Sequence, residues 1–393
     1  MLPVYMLQIS NFFSGLSNSI VVITIPWLVL EVTGSPAFAG LVVALSSIPA
    51  LLISPLSGVF IKRFGNRPVS IAADLFSTLS VIAFPLAALT VGLSGWAILL
   101  IALVGAVFDP VGYTARKTLI TTVSNSSGYN VEKLNGLHEG LFGVAWIAGP
   151  ALGAWLIALL GATNSFWVAG VCSAVAALAI AVLRVTAKNL TEDQEQPKAS
   201  LLIGFRLIWR DKLILAIVAS VLILATAYLP TESVVLPSYY QSLGEPTSLG
   251  LVISALAGGS AISAFGYGWL IQRISGRSLI RIAFLGASFS TLAMSFLPPL
   301  PWMLVGAVVL GLSWGPFNPF MNSVIQRRVP EQEHGMVFGA QSSIFYAAPP
   351  IGMVLTGLAV EQFGVGLTYQ GLGWLLVIAA IATLLTKSLR SKF

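Results

Sequence analysis

Three carboxyl groups stand among apolar residues: Asp109 in GAVFDPVGYTARK, Glu139 in LNGLHEGLFGVAW and Glu232 in AYLPTESVVLPSYY. An acid at membrane depth costs about 2.5–3.5 kcal/mol on insertion scales, so it faces protein or water rather than lipid. A carboxyl group that is dry in one state and wet in another can take up a proton and release it, which suits a carrier. Asp109, Gly112, Tyr113 and Arg116 recur at i, i+3, i+4 and i+7, one face of a helix. Each acid also has a plainer reading. Asp109, before Pro110, can cap a helix break. Glu139 can be a helix-start acid beside His138 or Lys133. Glu232 can bind a cationic molecule, carry a proton or sit solvated at the outer mouth. Asp74 lies two turns into its own helix and can pair with Arg116, as a structural ion pair with a gating role.

The elements that position these groups follow from composition. Hydrophobic residues make up 56% of 393 and charged residues 9%, with a mean hydropathy of +0.91. A soluble domain needs about 25% charged residues, so lipid solvates this chain. The pattern predicts an all-α integral membrane protein with twelve helices. They fall near 4–31, 36–62, 68–91, 95–123, 134–160, 163–184, 212–240, 247–272, 278–297, 301–326, 336–360 and 367–387. The first stretch has no basic n-region and runs too long for a signal peptide. With the N-terminus inside, all 20 Lys and Arg fall in inner segments, so both termini are expected in the cytoplasm. The net charge of +6 then records topology and attraction to anionic lipid, not a nucleic-acid partner.

An internal repeat organises the helices. Pro36, Gly40, Gly58, Arg63 and Arg67 recur 210 positions later as Pro246, Gly250, Gly268, Arg273 and Arg277, and Asp109-Pro110 meets Asn318-Pro319 at 209. Two six-helix bundles in parallel orientation follow, residues 1–184 and 212–393, with the substrate route expected between them. Residues 185–211 form a polar cytoplasmic linker ending in a short amphipathic helix, LLIGFRLIWRDK. Amide and aromatic stripes supply the expected cavity lining: Asn11 and Asn18, Tyr113, Tyr228, Trp314 and Asn318, Gln341 and Tyr346. Such a lining with few fixed charges suits large, variable, amphiphilic ligands, although each stripe taken singly also reads as packing. Pro150, and the Pro349-Pro350 pair, are expected to break their helices. Ala255, Gly259 and Ser263 form a small-residue stripe expected to meet the seam around Gly149 across the interface between bundles.

Several stretches resemble known transporters. GVFIKRFGNRP is similar to the loop signature G-x-x-x-D-R-x-G-R-K of the major facilitator superfamily. Gly58, Arg63 and Gly65 match, and Lys62 stands where that family has the Asp that latches the cytoplasmic gate. AWIAGPALGA is similar to the antiporter signature G-x-x-x-G-P-x-x-G-G, with Gly149, Pro150 and Gly153 matching and Ala145 and Ala154 replacing glycines. IAADLFS, YTARKTLI, LNGLHEG, LPTESVVLP, SLGLVISALAGG and GPFNPFMNSVIQ resemble the Tap-type multidrug efflux proteins of actinobacteria. That resemblance implies a major-facilitator fold, exchange of protons for drugs such as tetracyclines or aminocyclitols, and like residues at Asp74, Arg116, Glu139 and Glu232.

Other chemistries lack their residues. There is no phosphate-binding GxxxxGK[ST] loop, no GxSxG elbow, no His/Cys group at metal-ligand spacing and a single cysteine, Cys172. The expectation is therefore a proton-coupled efflux antiporter and not an enzyme. It uses no cofactor beyond protons, binds no metal and works as a monomer in a bacterial inner membrane, with amphiphilic molecules and lipid as partners. A lipid or lysolipid flippase and a proton symporter of small solutes are the alternatives of the same fold.

Overall fold

The computed structural model describes residues 1–53, 56–183, 201–330 and 333–385, and the described residues form helices and turns with no strand. The chain divides into two compact units, Met1–Asp193 with Tyr240–Gly250, and Gln194–Tyr239 with Leu251–Phe393. The expected linker over 185–211 lies outside the described residues as far as 200. The stretch Tyr240–Gly250, expected in the C-terminal bundle, groups with the first unit.

The first unit contains α1 (Leu2–Thr33), α2 (Pro36–Ile53), α3 (Ser57–Phe64), α4 (Asn66–Thr90), α5 (Gly95–Ala106), α6 (Asp109–Ser127), α7 (Val131–Leu160) and α8 (Ala162–Val182). The second contains α9 (Leu201–Arg210), α10 (Lys212–Pro230), a π-helical turn (Thr231–Val235), and α13 (Gly276–Ser295), α14 (Leu300–Trp314), α15 (Phe317–Arg328) and α16 (His334–Leu385). Helices α11 (Leu236–Leu243) and α12 (Pro246–Arg273) lie across the unit boundaries in sequence.

Ten described helical segments are long and apolar enough to cross a membrane, and Pro36–Ala50 is a shorter apolar helix. The merged α16 turns at Gly364, whose φ of 81° and ψ of 164° are not helical. Counting the short helix, and counting separately the two helices that meet at Gly364, brings the ten to the expected twelve. Exposed Leu79, Leu89, Leu100, Leu159, Phe265, Phe289 and Leu367 cover the outer faces, as a hydrocarbon solvent permits.

Prolines do not act alike here. The helices expected over 95–123 and 301–326 are each interrupted, at Val107–Phe108 and at Gly315–Pro316. A proline ring clashes with the carbonyl four residues earlier and offers no N–H. Pro110 therefore ends α5 at Ala106, and Pro319 excludes Gly315 from the helix. The two interruptions fall at the repeat-related Asp109-Pro110 and Asn318-Pro319, so the repeat read in sequence extends to the backbone. By contrast α7 runs unbroken through Pro150 and α16 through Pro349 and Pro350. These expected breaks are absent: a membrane helix tolerates a lost bond when neighbouring helices hold its course.

Helix α9 buries Gly204 and Ile208, one turn apart, and exposes Arg206, Trp209 and Arg210. This is the pattern of a surface-lying amphipathic helix.

Candidate functional site

In the first unit the polar groups are drawn together by α1, α4, α6 and α7. Arg116 Nη1 on α6 donates to Asp74 Oδ1 on α4 at 2.7 Å, with both side chains 3% exposed. Ser14 on α1 donates to the same oxygen at 3.0 Å. The approach of α4 to α6 depends on Gly112, where a β-carbon would fall on Ala73. One turn along α4, the Ser77 hydroxyl donates to Asp109 Oδ1 at 2.8 Å. Asp109 opens α6 but does not cap it: Phe108 holds the cap position, and no side chain bonds the free N–H groups there. The capping reading of Asp109 is thereby overturned, because its carboxylate turns to α4 instead.

Glu139 departs from expectation. It is not buried but 47% exposed, and it pairs with Lys117 of α6 at 2.8 Å rather than with His138 or Lys133. Lys117 Nζ also lies over the Tyr113 ring, 5.4 Å from its centroid. Thus Tyr113, Lys117 and Glu139 form one partly open group. Asn11, expected to line a cavity, is 1% exposed, and its Nδ2 donates to the His138 backbone carbonyl at 2.7 Å. It fastens α1 to α7. Asn18 stays partly exposed.

The seam of α1 on α7 is built around the antiporter-like residues. A β-carbon at Gly149 would fall on the Ser19 hydroxyl, and one at Gly153 on Ile20 and Ile23. Ser19 Oγ donates to the Ala145 carbonyl at 3.0 Å. Both Ala145 and Ala154 are fully buried. At the start of α12, Gly250 lies against Pro150, Ala151 and Ala154 of α7. In the small-residue stripe further along, Gly259 lies against Val308 and Leu312 of α14, while Ser260 and Ser263 meet Gly315. That stripe serves packing inside the second unit, where it lets two helix backbones approach closely.

Lys62 and Arg63 lie exposed in the last turn of α3, with the Arg63 guanidinium 5.3 Å from the centre of the Phe64 ring.

In the second unit Tyr228 stacks on Trp314, with ring centroids 4.7 Å apart and planes at 15°. Trp314 also leans on Phe317 at 6.4 Å. Tyr228 is buried and Trp314 partly exposed; Asn318 is exposed and Gln341 8% exposed. Of the expected lining, the buried Tyr228 and Gln341 pack within the unit in this conformation. The Tyr346 side chain lies outside the described residues. Glu232 sits partly buried in the π-helical turn, where the Leu236 N–H bonds the Thr231 carbonyl five residues back. Pro230 and Pro237 flank it and remove two backbone donors. Such turns are rare and concentrate at functional positions.

Sequence reading missed Ser14, Ser77 and Lys117, since a lone hydroxyl or lysine on a helix carries no periodic signal. The paired Pro230 and Pro237 could have revealed the π turn. Among the described residues no group of three or more His, Cys, Asp and Glu is placed to hold a metal.

Two units of membrane-length helices, each with a span interrupted at the same repeat position and with acids held inside it, define the class: a multi-pass membrane transporter. The chain belongs to the Major Facilitator Superfamily, whose family profile it matches over residues 7–346 and 231–392. It is 31% identical over 394 residues to the multidrug efflux pump Tap of Mycolicibacterium fortuitum, covering 99% of this chain and 96% of that one. It is 25% identical over 366 residues to the multidrug resistance efflux pump PmrA of Streptococcus pneumoniae, covering 90% of this chain and 88% of that one. The crystal structure of the nucleoside transporter NupG superposes with a TM-score of 0.80 at 12% identity, over 100% of this chain and 100% of that one, a likeness of fold.

Proposed function

We propose that this protein is a proton-coupled antiporter that exports amphiphilic small molecules by alternating access. The observation that carries the reading is Asp109. It is an acid inside a membrane span, held by the Ser77 hydroxyl and in no ion pair among the described residues. An intramembrane acid is expensive and is retained where it handles charge. The near-full-length similarity to efflux pumps of two bacterial groups supports drug-like cargo, and amphiphiles of the tetracycline or aminocyclitol kind are within the proposed range.

Glu139 and Glu232 are the further proton-handling groups of this reading, and Asp74–Arg116 with Lys62 and Arg63 the gating group. Tyr113, Trp314, Asn318 and Asn18 are the proposed cargo contacts, the buried Tyr228, Gln341 and Asn11 become contacts in another state, and Tyr346 belongs to the same proposed lining. An inward proton gains about 2.3 kcal/mol per 100 mV of membrane potential, which drives the export stroke without ATP or another cofactor. The lysine- and arginine-bearing ends, and with them both termini, face the cytoplasm of a bacterial inner membrane, and the monomer is the working unit.

The test is substrate-driven proton release from purified protein, comparing wild type with Asp109→Asn, Glu139→Gln and Glu232→Gln. Loss of coupling in Asp109→Asn, with substrate binding retained, is the expected result. Unchanged proton release in all three variants, or equal pumping by vesicles whose proton gradient has been collapsed, rules the reading out.

A further inference from the structure

A group of buried polar atoms in the first unit is left without partners by the contacts described above. Both ring nitrogens of His138 are unbonded, although the residue is fully buried. So are Asn11 Oδ1, Arg116 Nε, Asp74 Oδ2 and both amide atoms of Gln8, on residues 5% exposed or less. These seven atoms belong to four helices that known bonds tie together. Asn11 reaches the His138 carbonyl, Ser14 three residues on reaches Asp74, and Asp74 holds Arg116. Buried polar groups in native proteins are nearly always bonded, to protein or to ordered water. An apolar site stays dry, but one lined by several donors and acceptors takes water, each molecule bonded to two to four of them.

We propose that Gln8, Asn11, Asp74, Arg116 and His138 enclose an internal hydrated site, and that His138 passes protons through it between the level of Asp109 and the Lys117–Glu139 pair. The positions form a ladder. Asp109 meets Ser77, which lies one turn from Asp74 on α4, and Arg116 lies two turns beyond Asp109 on α6. His138 is the neighbour in sequence of Glu139, which holds Lys117. In the transfer a hydronium ion in the site gives its proton to the bare imidazole nitrogen, an O–H bond breaking as an N–H bond forms. The other nitrogen gives its proton to a water on the far side, an N–H bond breaking as an O–H bond forms. The ring ends neutral in the opposite tautomer, and a ring turn or back-exchange with the site water resets it. The charges acting on the ring are Arg116 and Lys117 from α6 and Glu139 from α7. Asp74 faces Arg116 from α4, and α1 contributes the neutral amides.

The proton-passing role rests on the antiport reading; the hydration of the site does not. Two measurements therefore separate them. With His334→Gln, His138 becomes the sole histidine, and its ring can be labelled with ¹⁵N in full-length protein held in lipid nanodiscs. Rapid exchange of the ring N–H with heavy water is expected. A ring N–H protected for hours overturns the hydrated site. In vesicles, proton release driven by tetraphenylphosphonium should slow about tenfold in His138→Phe and recover in part in His138→Gln, whose amide still bonds water. Wild-type rates in a folded His138→Phe, with Cys172 still shielded from thiol reagent, overturn the relay. Cargo export that ignores the proton gradient, together with a freely exchanging His138 ring, defeats antiport and leaves the hydrated site standing.

Discussion

Asp74 and Ser77 stand one turn apart on the same face of α4 and hold two different partners on α6: Asp74 takes Arg116 at 2.7 Å and Ser77 gives its hydroxyl to Asp109 at 2.8 Å. The first contact is a closed ion pair, 3% exposed on both sides. The second leaves a carboxylate with a hydroxyl for company. The buried ion pair and the proposed proton-handling acid thus fall on neighbouring turns, and substitution should separate their effects.

Replacing Asp74 by Asn, or Arg116 by Gln, leaves its partner's buried charge without a counter-ion. Breaking a buried pair from one side costs about 3–5 kcal/mol, while removing both partners costs less. The sole cysteine, Cys172, is buried, so a thiol-reactive fluorophore reports unfolding on heating. Each single variant should unfold well below wild type, and the double variant should recover part of the loss. Equal melting of wild type and both single variants would show the pair to be structurally idle.

Lys117 and Glu139 should behave in the opposite way. Both are about half exposed, and an exposed pair contributes under about 1 kcal/mol. Glu139→Gln and Lys117→Gln should therefore melt close to wild type. A loss of substrate-driven proton release in those variants would be functional, not a folding defect. A fall in melting as deep as that of Asp74→Asn contradicts this.

The α1–α7 seam leaves no room for a side chain at Gly149. Gly149→Ala should destabilise by about 1–3 kcal/mol through overpacking against Ser19. Adding Ser19→Ala removes the hydroxyl in the way and should return part of that loss, a coupling that a double-mutant cycle measures directly. Strict additivity of the two changes would mean that the helices adjust elsewhere.

The Tyr228–Trp314 stack and Glu232 predict a preference for cations. Aromatic stacking contributes about 0.5–1.5 kcal/mol beyond burial, and an open aromatic face attracts organic cations. In equilibrium dialysis, Trp314→Leu should weaken tetraphenylphosphonium binding about fivefold, since tenfold corresponds to about 1.4 kcal/mol. Glu232→Gln should weaken that cation while sparing a neutral amphiphile. Equal losses for both probes would point to lost packing and not to charge recognition.

How much of this was legible in sequence differs from residue to residue. Asp74 and Arg116 could be matched in advance, because helix lengths set their depth and opposite charges at one depth in lipid have few other partners. Asp109 could be placed in a membrane span but not assigned to Ser77. Which face of α4 turns toward α6 depends on small residues such as Gly112, and no local pattern records it. Lys117 was passed over in favour of His138 and Lys133, which are close to Glu139 in sequence; the actual partner reaches it from another helix. Pro110 and Pro150 are the same residue in similar surroundings, yet one interrupts its helix and the other does not.

The sequence by itself determined that lipid is the solvent, where the spans lie, that two halves repeat, and which few charges the interior must accommodate. These follow from transfer free energies and helix rise, which act residue by residue along the chain. The tertiary structure alone decided that Asn11 holds α1 to α7, that Glu139 stays open beside Lys117, that Gly149 rides on Ser19, and that the α12 stripe packs on α14. Partners across helices are chosen by rotation and close approach, and those are set only when the helices pack together.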